Sequence, residues 1–214
     1  MSEIEITSLK NEYKLFQDIG HCVIRNIISE NQINDLFSYL DEIIEYLKKN
    51  GDEGSYINYA NKKDGIVNSI HRINELNHSG INKFVKENNF KAIAELLIGE
   101  ECELFAVQAF LKPPNMGLKT PPHQDNAYWC QEGNGGITLW IALDEAGKFN
   151  GMMQYALNSN NKLMDHISSS NTPGSSLIIA DEDLIGLKWI QPNLKPGDIS
   201  IHDGLVIHFS EKNK

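Results

Sequence analysis

Two histidines and an aspartate form a set that could hold a metal ion. His123 and Asp125 sit two residues apart in Thr120-Pro-Pro-His-Gln-Asp-Asn126. In an extended strand such residues project to one side while Gln124 faces the other, so an imidazole and a carboxylate meet at one point. His208, at the end of Gly197-Asp-Ile-Ser-Ile-His-Asp-Gly-Leu-Val-Ile-His208, adds a second nitrogen from a later strand. Two nitrogens and one oxygen on one face of a metal, with the other positions open, are the donor set of non-haem Fe(II) centres that use oxygen. The residues alone leave alternatives open. A His-x-Asp pair also suits a hydrogen-bonded turn, and a histidine in an apolar strand also suits a satisfied core position.

Other chemistries have less to stand on. The three cysteines, Cys22, Cys102 and Cys130, are widely spaced and form no CxxC pair, which argues against a disulfide framework or a thiolate zinc site. Cys130 reads as a buried thiol rather than a nucleophile. Asp181, Glu182 and Asp183 lack the spaced ligands and glycine of a calcium loop. Gly133-Asn-Gly-Gly136 lacks the Lys-Ser/Thr and following helix of a phosphate loop. Histidines 21, 71, 78 and 166 read as surface or packing residues.

The elements that must position the triad can be traced along the chain. The 214 residues are 41% hydrophobic and 22% charged, the mixture of one globular domain over 1–214. A net charge of −10 suits neither nucleic acid nor an anionic membrane as partner. No apolar run nears the roughly 18 residues that span a bilayer, and the start of the chain is acidic and polar, so a cytoplasmic location is expected.

Residues 12–28 read as a short helix, a break at Gly20, and a strand in which His21, Val23 and Arg25 oppose Cys22, Ile24 and Asn26. Ser29 to Gln32 fits a capping box. Ile33, Leu36, Phe37, Leu40, Ile43, Ile44 and Leu47 then mark one helical face that stops at Gly51. Residues 51–70 read as an ordered loop or short strands, and 71–78 and 80–98 as helices. From about 101 the texture turns to β, with strands expected in 102–112, 136–146, 151–157, 175–180 and 197–210, and a tight hairpin at Asn150-Gly151. A mostly helical layer over 1–100 on a β-barrel over 101–214 is the architecture this pattern suggests.

Several linked blocks together resemble one known family. They are Phe110-Leu-Lys-Pro-Pro, His123-Gln-Asp-Asn-Ala-Tyr-Trp129, Thr138-Leu-Trp-Ile-Ala-Leu-Asp144, Asn150-Gly-Met-Met, and Lys195-Pro-Gly-Asp198 running to His202-Asp-Gly and His208-Phe-Ser210, with a weaker match at Asp18 to Arg25. In this order they resemble the phytanoyl-CoA dioxygenase-like group of Fe(II)- and 2-oxoglutarate-dependent oxygenases. The resemblance implies a double-stranded β-helix, a jelly-roll barrel with helices on its larger sheet. It implies Fe(II) on His123, Asp125 and His208, with 2-oxoglutarate and O2 as cosubstrates. The implied reaction hydroxylates an unactivated C–H of a small organic molecule and releases succinate and CO2. Related halogenases carry a small residue where Asp125 stands, so its carboxylate favours hydroxylation. His202 is the competing histidine, but a bend at Gly204 and the family pattern favour His208.

The resemblance also assigns cosubstrate contacts. Ser210 matches the position that helps hold the 2-oxoglutarate carboxylate, and Trp140 and Asn126 are candidate pocket walls, with core packing an equal reading for Trp140. Tyr128 and Trp129 would line the substrate side. The family's Arg for the far carboxylate, expected beyond the distal histidine, is not in this sequence: its two arginines are Arg25 and Arg72, and Lys214 follows His208 by six residues. Three expectations follow. The preferred one is that the last barrel strand lies beyond the sequence given, because a barrel without it has an open edge. Alternatively Lys112 takes the role, or the protein is a metal- or ligand-binding jelly roll without turnover. A metal-dependent hydrolase is disfavoured for want of a general base.

Overall fold

The computed structural model describes residues 9–129, 136–169 and 176–214; Cys130 and Gly133 to Gly135 lie outside them. Helix α1 (Lys10–Ile19) ends at Gly20 in the left-handed conformation, and strand β1 (His21–Ile24) follows. Helix α2 (Glu30–Asn50) forms as its sequence demands. The Ser29 hydroxyl accepts from the Gln32 amide and the Gln32 side chain accepts from the Ser29 amide, satisfying two of the end donors that a helix leaves orphaned. The buried stripe is Ile33, Leu36, Leu40, Ile43 and Leu47; Phe37, expected on that face, is 45% exposed.

The segment 51–70 resolves into a short helix α3 (Glu53–Tyr56) and two paired strands, β2 (Ile57–Asn61) and β3 (Ile66–Ile70). The helix expected over 71–78 shrinks to one 3₁₀ turn, Ile73–Leu76, because β3 has already used the residues before it. The helix expected over 80–98 is two, α4 (Ser79–Glu87) and α5 (Phe90–Ile98). They part at Asn88, buried and donating to the Phe84 carbonyl, and Asn89, which takes a left-handed φ of 54°.

The strand expected over 102–112 is a strand only at β4 (Ala109–Phe110), which pairs with β3. Upstream, Val107 is tied to the 3₁₀ turn through the Asn74 side chain and the Ile73 amide, so those backbone groups are spent on single contacts instead of a ladder. The remaining strands are β5 (Thr120–His123), β6 (Ile137–Ile141), β7 (Met153–Ala156), β8 (Ile167–Ser168), β9 (Leu177–Ile178), β10 (Trp189–Ile190), β11 (Ile199–Asp203) and β12 (His208–Ser210). Helix α6 (Asn126–Trp129) is a single turn.

Two sheets carry the C-terminal half, in orders β1-β11-β6 and β10-β7-β12-β5, with β2-β3-β4 and the β8-β9 pair beside them. Helices and strands are thus combined, with the second half mostly β. Among the described residues the ladders of the two main sheets do not join into a closed barrel. One face of the first sheet buries Cys22, Ile24, Ile199 and Ile201 in a cluster with the apolar stripes of α2, α4 and α5. The expected hairpin at Asn150-Gly151 is instead a crossing between sheets, since β6 pairs with β11 while β7 pairs with β10 and β12. Gly151 is required there: its φ is 78°, and a Cβ would come within 2.7 Å of the Glu211 carbonyl oxygen.

Candidate metal centre

Two rows of side chains meet between the main sheets. Across the second sheet His123, His208 and Tyr155 are direct cross-strand partners on β5, β12 and β7. Across the first sheet His21, His202 and Thr138 are partners on β1, β11 and β6. The rows touch: the rings of His202 and His208 are 4.3 Å apart, and the Tyr155 ring lies 4.1 Å from that of His21. The chain turns at Gly204 between β11 and β12, so His202 and His208 come from different sheets and converge from opposite sides.

Asp125 sits between the rows. The strand expected to carry both His123 and Asp125 ends at His123, because Asp125 begins a turn whose carbonyl accepts from the Tyr128 and Trp129 amides. The expected convergence survives. Gln124 is fully buried on the other side, bonded to the carbonyls of Lys162 and Leu205 and to the Met164 amide. Asp125 Oδ1 lies 3.5 Å from the Nε2 atoms of both His123 and His208. One donor atom each from His123, Asp125 and His208 fall within 4.8 Å of one another. His202 Nε2 reaches the other oxygen, Oδ2, at 3.2 Å, and the Thr138 hydroxyl donates to that oxygen at 2.6 Å.

The donor chemistry of the three residues suits a divalent transition metal. A carbonyl can only accept, so His123 Nδ1 donates to Pro121 O at 2.8 Å and His208 Nδ1 donates to Val206 O at 2.9 Å. In the neutral imidazole this leaves each Nε2 with a free lone pair. Burial, reinforced by the neighbouring imidazoles of His123 and His202, holds His208 well below the usual histidine range, so it is neutral. Burial opposes ionisation of Asp125, but the imidazoles of His208, His123 and His202 around it outweigh the burial and hold the carboxyl well below its ordinary value, with His202 Nε2 3.2 Å from Oδ2. The set is two imidazole nitrogens and one carboxylate oxygen.

The other expected residues fall around this centre. Ser210 is buried on β12, two residues beyond His208, and the Lys112 ammonium donates to its hydroxyl at 2.5 Å and to the Glu211 carbonyl at 2.9 Å. Burial pushes the Lys112 ammonium down to about 8, with the Glu211 charge opposing. Among the described residues no carboxylate forms an ion pair with Lys112; Glu211 pairs with Lys119. Trp140 packs with Val23 on Ala142, Ala146, Met152 and Leu194. Asn126 opens α6, buried, with its amide on the Gly204 carbonyl. Tyr128 meets the His123 ring edge-on at 5.7 Å.

Sequence reasoning passed over Thr138, Tyr155 and His21 as parts of this centre. The available signal was β11 itself, Ile199-Ser-Ile-His202, whose polar residues alternate inside an apolar strand. His166 and His78 have structural work: His166 Nε2 accepts from the Gln124 amide, and His78 caps α4. Asp181, Glu182 and Asp183 form an exposed 3₁₀ turn.

The profile of the family described as Phytanoyl-CoA dioxygenase (PhyH) matches residues 16–214. No curated protein matches the sequence. Among solved structures, SnoK, a non-heme alpha ketoglutarate dependent carbocyclase from nogalamycin biosynthesis, is similar with a TM-score of 0.75 at 20% identity, over 95% of this chain and 78% of SnoK. The epimerase SnoN, in complex with Fe3+, alpha ketoglutarate and nogalamycin RO, has a TM-score of 0.70 at 18% identity, over 97% and 78% of the two chains. EctD from S. alaskensis, with 2-oxoglutarate and 5-hydroxyectoine, has a TM-score of 0.72 at 18% identity, over 95% and 70%. At these identities the likeness shows a shared fold. Among the described residues no helix is long and apolar enough to cross a membrane.

Proposed function

The chain belongs to the phytanoyl-CoA dioxygenase family, and from that premise we propose that it is an Fe(II)- and 2-oxoglutarate-dependent oxygenase that hydroxylates a C–H bond of a small organic molecule. The observation that carries this is the convergence of two bare imidazole nitrogens and one carboxylate oxygen at one point between the sheets. His123, Asp125 and His208 are the metal ligands in this reading. The jelly-roll reading of the two main sheets, and a single domain over 1–214, belong to the same proposal.

Bound iron would supply the coupling of O2 reduction to decarboxylation of 2-oxoglutarate, giving succinate and CO2. The chain's own residues do the rest. Pro121 and Val206 carbonyls fix the two rings so that both Nε2 atoms face the carboxylate. Lys112 and Ser210 bind the far carboxylate of 2-oxoglutarate: a buried ammonium without an anionic partner among the described residues is a site for an anion. Asn126, Tyr128 and Trp129 line the approach to His123, where the substrate enters and water is displaced.

An anaerobic titration with Fe(II) and then 2-oxoglutarate tests the reading. The expected result is the visible iron-to-ketoacid charge-transfer band, lost in His208→Ala. Lys112→Met is expected to keep iron but weaken 2-oxoglutarate by roughly 10- to 100-fold, the worth of a charged hydrogen bond. Because only the protonated amine attracts the anion, 2-oxoglutarate affinity falls as pH rises through about 8 in wild type and stays level in Lys112→Met. Iron uptake with no band would leave a metal-binding protein without this turnover. Product analysis separates hydroxylation from the reactions named for SnoK and SnoN.

A further inference from the structure

We infer that His202 and Thr138 are positioning residues that clamp the outer oxygen of Asp125, so that the carboxylate offers Oδ1 alone to the metal. The inference rests on the metal-site reading above. Three histidines surround one carboxylate, and their second nitrogens divide them into two kinds. His123 and His208 each spend an Nδ1–H on a backbone carbonyl two residues earlier, which leaves Nε2 bare. His202 Nδ1 is buried and has no partner among the described residues. Its proton therefore sits on Nε2, 3.2 Å from Asp125 Oδ2, where it is a donor and cannot be a ligand.

Thr138 completes the clamp. It lies directly opposite His202 in the β11–β6 register, and its hydroxyl donates to the same Oδ2 at 2.6 Å. One cross-strand pair thus points two donors at one oxygen. The terminal torsion of an aspartate is broad and two-fold, so an unclamped carboxylate could rotate or chelate through both oxygens. Either change would occupy a position that a chelating 2-oxo acid needs, or move Oδ1 off its place 3.5 Å from both ligand nitrogens. Outer partners of metal ligands act in this way, by fixing orientation without touching the metal.

Co(II) serves as the probe, because its affinity and visible d–d spectrum are read without turnover. Thr138→Val and His202→Phe are each expected to weaken Co(II) by about 10- to 100-fold and to alter the spectrum. Thr138→Ser and His202→Gln, which keep a donor, are expected to stay close to wild type in both. Unchanged affinity and spectrum in Thr138→Val, His202→Phe and the double variant would overturn the clamp. His123→Ala separates the two levels: if it binds Co(II) like wild type, the metal-site reading itself fails, whereas loss in His123→Ala with no effect at 138 and 202 removes the clamp alone. Should circular dichroism show His202→Phe unfolded, Thr138→Val against Thr138→Ser decides.

Discussion

Along β11 the side chains of Ile199 and Ile201 enter the cluster formed with the helices, while Ser200 and His202 enter the space between the two main sheets, and all four are at most 1% exposed. The same strand therefore has two buried faces made by different rules. On the helix side burial itself is the stabilising term, non-directional and proportional to area, so the cluster that also holds Leu36, Leu40 and Leu97 would accept another aliphatic of similar volume. On the other face the buried polar groups are held through specific partners. Ser200 bonds Tyr155 and His21, and His202 reaches Asp125. The first face holds the protein together, and the second fixes where one carboxylate oxygen points.

That division can be broken experimentally. Ile201→Ala leaves a cavity on the helix face and should cost about 3 kcal/mol, read as a fall in the denaturant midpoint, with Co(II) affinity unchanged in the folded fraction. A parallel loss of metal affinity would mean that the two faces are mechanically one. The polar face should show itself in acid. Burial first, then the neighbouring His202, lowers His21 to about 3. The unfolded chain then takes up the proton before the folded one, so this stability is present in full above pH 6.5 and is lost as pH falls from 6.5 towards 3. Between pH 7.5 and 5.5 the His21 share of the loss, which adds to that of the likewise lowered His208, should be about 1.4 kcal/mol. It should vanish in His21→Gln, and an equal acid loss in that variant would assign the effect to other groups. The smallest effect is expected far from both faces: Ser29→Ala removes the cap of α2 for about 1 kcal/mol, without change in Co(II) binding.

Much of the candidate site was legible because its signals are short in sequence. His123 and Asp125 are two residues apart, and Gln124 turns away from them as alternation requires, even though the strand stops at His123. The bend at Gly204 separates His202 from His208 as expected. The errors share a cause. The segments 80–98 and 102–112 look periodic, but Asn88 and Asn74 offer side-chain partners that outcompete regular ladders locally. Asn150-Gly151 looks like a hairpin because sequence shows the turn and not the sheets to which its flanking strands belong.

Legible in the sequence were the family, by resemblance, the cap and apolar stripe of α2, and the three residues His123, Asp125 and His208 that the fold brings together as candidate ligands. The α2 signals and the His123–Asp125 pair are local, where spacing fixes direction, whereas the family and the choice of His208 came from the resemblance of blocks along the chain. Only the tertiary structure decided that β1 pairs with β11 across the length of the chain, that Lys112 lies on Ser210, and that His202 faces Oδ2 of Asp125 instead of joining His123 and His208. Each brings together segments far apart in sequence, and the first and last depend on the register of β11. Register is set by packing whole sheets together, and a shift of one residue in β11 would turn His202 to the opposite face.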